Sequence, residues 1–290
     1  MLLEELCEIH RSSPQPVIIR GDTRLSFEDV FNAREINVSM VKPGEVVALV
    51  GDFDAATINA LLTLIDAGAV IAPLSPELAP SFPYFFETAG VDWVIQHGSA
   101  ERIRRTPMEH PLLDELRARG HAGLILFSSG TTGRPKAILH DFAQFLARFR
   151  TPRPALKTLN FLLFDHIGGI NTLFHTLFNR GQVVIPSGRT PEAVAADIGK
   201  YAVELLPTTP TFLRMLMLSG LIEAAHGALA SLKVITYGTE PMDEGTLKAL
   251  AGALPRTDLR QTYGMSELGI LRVKSRAHGT ACGCRSAARA

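Results

Sequence analysis

The sequence predicts an α/β protein built from helix-covered, mostly parallel β-sheets. Two observations carry that expectation. Short β-branched runs alternate with helical patterns along most of the chain, and these runs are near-continuously apolar, as strands buried on both faces must be. With 290 residues, 46% of them hydrophobic and 20% charged, the chain has the material for a large core.

The elements follow in order. "VVALVG" (Val46–Gly51) reads as a buried strand, "AATINALLTLIDAG" as a helix closed by Gly68, and "AVIAPL" as the next strand. A strand, a helix and a strand at this spacing make a βαβ unit, whose strands are parallel. Further strands are predicted at Trp93–Gln96, Gly123–Phe127, Leu159–Phe164, Gln182–Pro186, Val203–Pro207, Lys233–Gly238 and Leu259–Gly264. The helix expected after Gly123–Phe127 carries Ile138, Phe142, Phe145, Leu146 and Phe149 on one face, and Leu173, Phe174 and Leu177 mark another core-facing helix. Ligands of such folds sit at the carboxyl ends of strands, so the turns that follow strands are where chemistry is sought.

Composition excludes several function classes. The 29 Lys+Arg residues balance 29 Asp+Glu, so no net charge draws the chain to nucleic acid or to an anionic membrane. The N-terminal "MLLEELCEIHRSSPQP" has two glutamates where a signal peptide needs an apolar region and lacks a basic start, which points to a cytoplasmic protein. Long apolar stretches such as "INALLTLIDAGAVIAPL" are broken by Asp66 and turn residues, short of a membrane span. Cys7 stands alone, and Cys282 and Cys284 have neither disulfide-framework nor zinc-ligand spacing. From Ser275 the chain reads "SRAHGTACGCRSAARA", without period or aromatic residue, so residues 1–274 are expected to form the domain and 275–290 an unstructured tail.

One strand-following turn is rich in anion-binding groups. In "FSSGTTGRPKA" (Phe127–Ala137), Gly130 and Gly133 let consecutive N–H groups face anionic oxygens. Ser128, Ser129, Thr131 and Thr132 add hydroxyls, Lys136 adds a compact cation, and the predicted helix behind presents its positive end. The combination suits a polyphosphate, whereas the Gly-x-x-Gly-x-x-Lys spacing differs from the P-loop pattern and disfavours a P-loop phosphotransferase. Taken alone, the loop also reads as a flexible connection with a solvated lysine.

A second segment is "QTYGMSELG". Tyr263 offers a flat face to a purine beside Gly264, and Glu267 is a hard carboxylate suited to Mg²⁺. A core tyrosine and a solvated glutamate would read the same way. "TYGTEPM" (Thr236–Met242) joins a strand to a helix with Pro241 at the helix start.

Together these motifs resemble the AMP-binding, adenylate-forming superfamily, which includes acyl-CoA synthetases, firefly luciferase and the adenylation domains of peptide synthetases. Ala137 stands where the family usually has glycine, and Ser266 stands in the threonine position of its Tyr-Gly-x-Thr-Glu motif. The resemblance extends from about Arg20 to Leu271, through "RGDTRLSFEDVFNAR", with Ser26 as N-cap, and "KPGEVVALVGDFDAATINALLTLIDAGAVIAPLSPE". It implies a layered αβαβα N-terminal domain that turns a carboxylic acid and ATP into an acyl- or aryl-adenylate, usually followed by transfer to CoA or a carrier-protein thiol.

The resemblance also implies roles. Ser128, Ser129, Gly130, Thr131, Thr132, Gly133 and Lys136 would cradle the phosphates of ATP. Gly238, Thr239, Glu240 and Pro241 would border the adenine, with Thr239 and Glu240 departing from the family's small residues. Gln261, Thr262, Tyr263, Gly264, Met265 and Ser266 would form the adenine-stacking motif, and Glu267 would hold Mg²⁺. His166, Gly168 and Gly169 resemble the His-x-x-Gly element at the carboxylate pocket, so Lys136, Glu267 and His166 are the catalytic candidates. Phe164–Asp165 could instead echo the Phe-Asp pair of amino-acid-activating domains, but Ile167 occupies the position of the serine that accompanies that pair.

Few residues follow Glu267, whereas the family continues with a ribose-binding aspartate, a hinge and a C-terminal domain bearing a lysine that promotes adenylation. The expectation is a truncated N-terminal part with impaired activity; the alternative is a non-catalytic remnant or binding module.

Overall fold

A computed structural model describes residues 1–13, 15–128, 134–224, 227–265 and 269–271, the side chains of 223–224, 263–265 and 269–271 excepted. The chain opens with α1 (Leu2–His10), an antiparallel hairpin of β1 (Ile18–Arg20) and β2 (Thr23–Leu25), and α2 (Phe27–Asn32). Ser26 caps α2 as expected. Its Oγ accepts the Asp29 N–H at 3.1 Å, and the Asp29 carboxylate accepts the Ser26 N–H at 2.7 Å.

The predicted βαβ unit is present as β3 (Val46–Val50), α3 (Ala55–Asp66) and β4 (Val70–Leu74), with its strands parallel in register from Val46↔Val70 to Val50↔Leu74. Asp54 caps α3 through the Thr57 N–H at 2.9 Å, and Gly68 leaves it at φ +73°, a conformation open to glycine without cost. After α4 (Phe82–Ala89) come β5 (Trp93–Gln96), β6 (Ser99–Arg102), α5 (Pro111–Arg119), β7 (Gly123–Ser128) and β8 (Lys136–Asp141). These strands form one sheet in the order β6-β5-β3-β4-β7-β8, parallel inside and antiparallel at both edges.

The β8 edge corrects an expectation. The sequence pattern places Lys136 at the end of the loop and makes Ala137–Asp141 the start of a helix, but Lys136–Asp141 pairs with β7 along its whole length, from Ser128↔Lys136 to Gly123↔Asp141. Without β8, β7 would leave one row of backbone donors and acceptors unpaired, and that requirement outweighs the helical spacing of Ile138. The helix begins one step later, at α6 (Phe142–Ala147), where the Asp141 carboxylate accepts the Ala143 N–H at 2.9 Å. No helix therefore starts directly behind the Gly-rich loop, and the helix dipole expected there is not available to it.

The second sheet is built from β9 (Lys157–Leu159), β10 (Gln182–Val184), β11 (Leu205–Thr208), β12 (Val234–Tyr237) and β13 (Asp258–Gln261), with β1 and β2 at its far edge. Its order is β13-β12-β11-β9-β10-β1-β2, all parallel except the β1–β2 hairpin. Helices α7 (Ile167–Phe178), α8 (Pro191–Tyr201), α9 (Pro210–Leu218), α10 (Leu221–Ala224) and α11 (Glu244–Ala253) link these strands, and β14 (Tyr263–Met265) and β15 (Gly269–Leu271) form a closing hairpin. The predicted strand Leu159–Phe164 ends at Leu159, and residues 160–166 leave the sheet to enter α7. Pro241 does not open α11; Asp243 caps it, accepting the Thr246 N–H at 2.8 Å.

Alternation along the strands assigns the layers. Val47 and Leu49 of β3, with Ile18 and Val183 of the second sheet, face a central core filled from α1, α3, α6 and α7. Val46, Ala48 and Val50 face α4 and α5, while Ile19, Val184 and Leu206 face α8 and α9. The outcome is the expected αβαβα stack. In its middle, Phe145 packs edge-on against Phe142 and Phe149 with centroids 5.8 and 5.4 Å apart, so the predicted apolar face of α6 is core. Each such pair contributes about 0.5–1.5 kcal/mol beyond the area it buries. Among the described residues no helix is long and apolar enough to cross a membrane.

Candidate active site

The carboxyl ends of the two sheets meet across the central layer. Ser75, directly after β4, donates its hydroxyl to the Asp165 carboxylate at 2.8 Å, tying the edge of the first sheet to the start of α7. Arg189, after β10, approaches Asp52, after β3, at 3.9 Å and donates to the Phe161 carbonyl at 3.0 Å. The turns that follow strands of both sheets are thus brought to one region, where ligands of open α/β sheets bind.

His166 is the N-cap of α7. Its Nδ1 accepts the Gly168 N–H at 3.0 Å, which leaves the ring proton of a neutral imidazole on Nε2 as a donor. Burial pushes this imidazole below its ordinary value, partly opposed by the nearby Asp165, so the neutral form is favoured near pH 7. Gly169 follows, where a Cβ would lie 2.0 Å from the Leu163 carbonyl oxygen, so only glycine lets residues 162–163 fold over the first turn of α7. Phe164 is buried against Phe53, edge-on at 5.2 Å.

Beneath this turn lies a cavity of about 190 Å³. Gly168, Asn171, Thr172 and His175 line it from α7, at spacings of three, four and seven residues that define one helix face. Leu205, Pro207 and Thr208 of β11, Thr236 of β12 and Thr262 close it from the sheet, and Leu162 from the segment before α7, so that it reaches the carboxyl ends of those strands.

Above the cavity the strand ends are locked together. Thr262 donates its N–H to the Tyr237 carbonyl at 2.7 Å and its hydroxyl to the same oxygen at 3.1 Å. A Cβ on Gly238 would sit 2.5 Å from the Thr262 carbonyl oxygen, so glycine permits the turn after β12 to lie against the segment leading to Tyr263. Thr239 holds the left-handed region at φ +71°, a strained choice for a β-branched residue. Glu240 reaches back to α9: its carboxylate accepts the Thr211 N–H at 3.1 Å and the Thr211 hydroxyl, with Arg214 3.7 Å away. That contact caps α9 and pins the turn from outside.

Lys136 opens β8 opposite Ser128 and is exposed, with no ion pair among the described residues. The Tyr84 hydroxyl donates to the Pro135 carbonyl at 2.7 Å and anchors the exit of the Gly-rich loop. Lys136 borders a hollow of about 300 Å³ between α4 and α5, on the outer face of the first sheet and away from the α7 cavity. Ser129, Gly130, Thr131, Thr132, Gly133, Ser266 and Glu267 lie outside the described residues. Tyr263, Gly264 and Met265 form β14, and Gln261 ends β13. No cluster of three metal-ligating side chains exists among the described residues, and Glu267, the expected Mg²⁺ ligand, is not one of them.

The family model for AMP-binding enzymes matches residues 33–283, most of the chain. The chain belongs to the AMP-binding enzyme family. Among its relatives, phenyloxazoline synthase MbtB of Mycobacterium sp. (strain MCS) is 26% identical over 279 residues, covering 85% of this chain and 22% of that protein. A nonribosomal peptide synthetase of Gibberella zeae is 23% identical over 258 residues, covering 79% of this chain and 3% of that protein. The chain therefore spans less than a quarter of these curated relatives. The luciferase-like enzyme of the nonluminescent Zophobas morio mealworm shares the fold, with a TM-score of 0.72, 20% identity, and coverage of 93% of this chain and 72% of that one.

For this AMP-binding chain, sequence reasoning missed Asn171, Thr172, His175 and Thr236. The signal was available. Polar residues at three-, four- and seven-residue spacing from Gly168 cut a stripe into an otherwise apolar helix, whose Leu173, Phe174 and Leu177 dominate its pattern and read only as core.

Proposed function

We propose that this chain binds ATP and a small-molecule carboxylic acid and joins them as an acyl-adenylate. The observation that supports this best is the α7 cavity, which opens at the carboxyl ends of β11 and β12 beside Thr262 and under the His166 cap. ATP, when bound, supplies an α-phosphorus that the carboxylate oxygen attacks as pyrophosphate leaves.

The chain's own residues position and neutralise. His166, with its Nε2 proton, would donate to the substrate carboxylate at the mouth of the cavity. The turn Gly238–Pro241 and the strand at Tyr263 would flank the adenine. Ser128 through Gly133 with Lys136 would hold the phosphates, and Glu267 would hold Mg²⁺. The acyl group would pass to a thiol, and the peptide synthetases among the relatives favour a carrier protein over CoA.

The amino-acid-activating alternative rests on Asp165. One of its oxygens already accepts the Ser75 hydroxyl, so an α-amino group would have to share a carboxylate that ties the two sheets. For that reason an acyl or aryl acid is the preferred substrate.

The test is thermal unfolding with and without ATP·Mg²⁺ and a non-hydrolysable acyl-adenylate mimic. Ligand at about a hundred times its Kd should stabilise by about 2.7 kcal/mol. Lys136→Ala and Glu267→Ala should shrink the shift, and no shift at millimolar ligand would reject the reading.

A further inference from the structure

The α7 cavity is walled mostly by apolar surface, with Leu162, Leu205 and Pro207 in its lining, and a few polar groups are set into that wall, among them the buried Thr208 hydroxyl, which has no partner among the described residues. Four of its lining residues come from a helix whose other faces are buried in the central core, and its floor is the sheet itself. Along β12, Ile235 and Tyr237 turn to the α8–α9 core, which leaves Thr236 on the cavity side. Among the described residues, the side chains of Asn171, His175 and Thr236 make no hydrogen bond. Thr172 and Thr262 give their hydroxyl protons to the Gly168 and Tyr237 carbonyls, at 2.7 and 3.1 Å, and keep lone pairs to accept with.

We propose that the acid accepted here carries an uncharged hydrogen-bonding group, a hydroxyl or a carboxamide, on a body no larger than one six-membered ring. This rests on the adenylating reading and names its substrate class.

Size sets the first limit. A cavity of about 190 Å³ is little larger than the roughly 150 Å³ hollow that takes a single benzene, so the part of the acid it encloses is about one ring in size and a long acyl chain would run out of it. Polarity sets the second. An aliphatic or plain aryl group would cover Asn171, His175 and Thr236 without partners, and each buried orphan costs about 1–3 kcal/mol. Charge sets the third. No Asp, Glu, Lys or Arg lines the cavity, and burial, aided by Arg153, holds His175 toward its neutral form. A carboxylate or ammonium carried into the cavity on the side chain would be desolvated with no counter-charge, whereas an α-ammonium would stay beside the reacting carboxyl at the cavity mouth. A hydroxyl or carboxamide meets all three limits, since His175, Asn171 and Thr236 can each both donate and accept.

The experiment is a binding series on the full chain with sulfamoyl-adenosine mimics of the adenylate, monitored by calorimetry. The acyl groups are benzoyl, para-hydroxybenzoyl, octanoyl, seryl, asparaginyl and aspartyl, with adenosine sulfamate as the reference. The para-hydroxybenzoyl mimic, or the seryl or asparaginyl one, should bind about tenfold or more tightly than its unsubstituted or charged counterpart. The first outcome assigns an aryl acid, the second an amino acid. Octanoyl should bind no better than adenosine sulfamate.

Thr236→Val and Asn171→Leu, on different elements, should each cut the preference to under about threefold while adenosine sulfamate binding is kept. If adenosine sulfamate binds but benzoyl, octanoyl or aspartyl equals the hydroxylated forms, the substrate inference is overturned and the adenylating reading stands. If adenosine sulfamate itself does not bind, both fall.

Discussion

Polar side chains cluster at both ends of these sheets, buried at one and partly open at the other, and they are used in opposite ways. At the amino end of β3, Glu45 is 6% exposed and both its oxygens are taken: one by the Arg102 guanidinium at 2.9 Å, the other by the Trp93 indole N–H at 2.9 Å and the Lys42 N–H at 2.8 Å. Arg102 also lies over the Trp93 ring at 5.3 Å. At the carboxyl end, the half-buried side chains of Asn171, His175 and Thr236 and the buried hydroxyl of Thr208, 3% exposed, surround a cavity and find no partner among the described residues. The first group is finished by the fold itself. The second is left open in the folded chain, as the proposed acid-binding role of the cavity requires, and the contrast stands without reference to any relative.

The largest test of that contrast is Glu45→Ala. It strands a buried indole N–H, a backbone N–H and a half-buried guanidinium, and should cost about 3 kcal/mol in urea unfolding. A loss under about 1 kcal/mol would show that the amino-end cluster is not self-sufficient. Gly169→Ala comes next, at about 2–3 kcal/mol, because the obstruction is the Leu163 backbone carbonyl rather than a side chain that can swing away. A neutral result would mean that residues 162–163 relax easily, and the cavity with them.

The fold was legible because buried parallel strands are written as apolar runs. Val46–Val50 and Trp93–Gln96 stand within a residue of where the sequence places them. Edge strands were not legible. Lys136–Asp141 and Ser99–Arg102 are only partly buried, carry few β-branched residues, and exist because β7 and β5 need a partner. At the site, Gly238, Gly169 and His166 were found from a motif, but the reasons they stand there are geometric: a carbonyl 2.5 Å from a Gly238 Cβ, another 2.0 Å from a Gly169 Cβ, and an N-cap bond at 3.0 Å. No single-chain pattern encodes such distances. The α7 stripe was written plainly, but its meaning depends on which strand ends face it, which only the sheet order β12-β11-β9 supplies.

Acid offers a smaller effect. Burial lowers the folded-state titration of His10, His166 and His175 below the ordinary value of 6.5. As pH falls through 6.5 the unfolded chain takes up protons that the folded chain refuses, so stability declines until pH passes the lowered folded values. Urea midpoints between about pH 7.5 and about pH 5.5 should fall accordingly. His175→Gln should flatten the slope. An unchanged slope would mean that His175 titrates alike in the folded and unfolded chains, so that burial does not hold it toward its neutral form, which removes one support of the substrate argument.

The smallest effect is expected at the cavity itself. Thr236→Val keeps the shape of the side chain and removes a hydroxyl that no protein group uses, so the apo chain should change by less than about 1 kcal/mol, in either direction. The same exchange at a satisfied position, such as Thr57, whose hydroxyl donates to the Asp54 carboxylate at 2.8 Å in the cap of α3, should be clearly destabilising. Measured side by side, the two variants isolate what the hydroxyl does from what the methyl packs against. If Thr236→Val costs as much as Thr57→Val, then Thr236 is part of the fold's own hydrogen-bonding and the carboxyl-end polarity needs no ligand to explain it. If it costs nothing, the hydroxyl is retained in the apo chain without structural return, and the acid is the partner that gives it one.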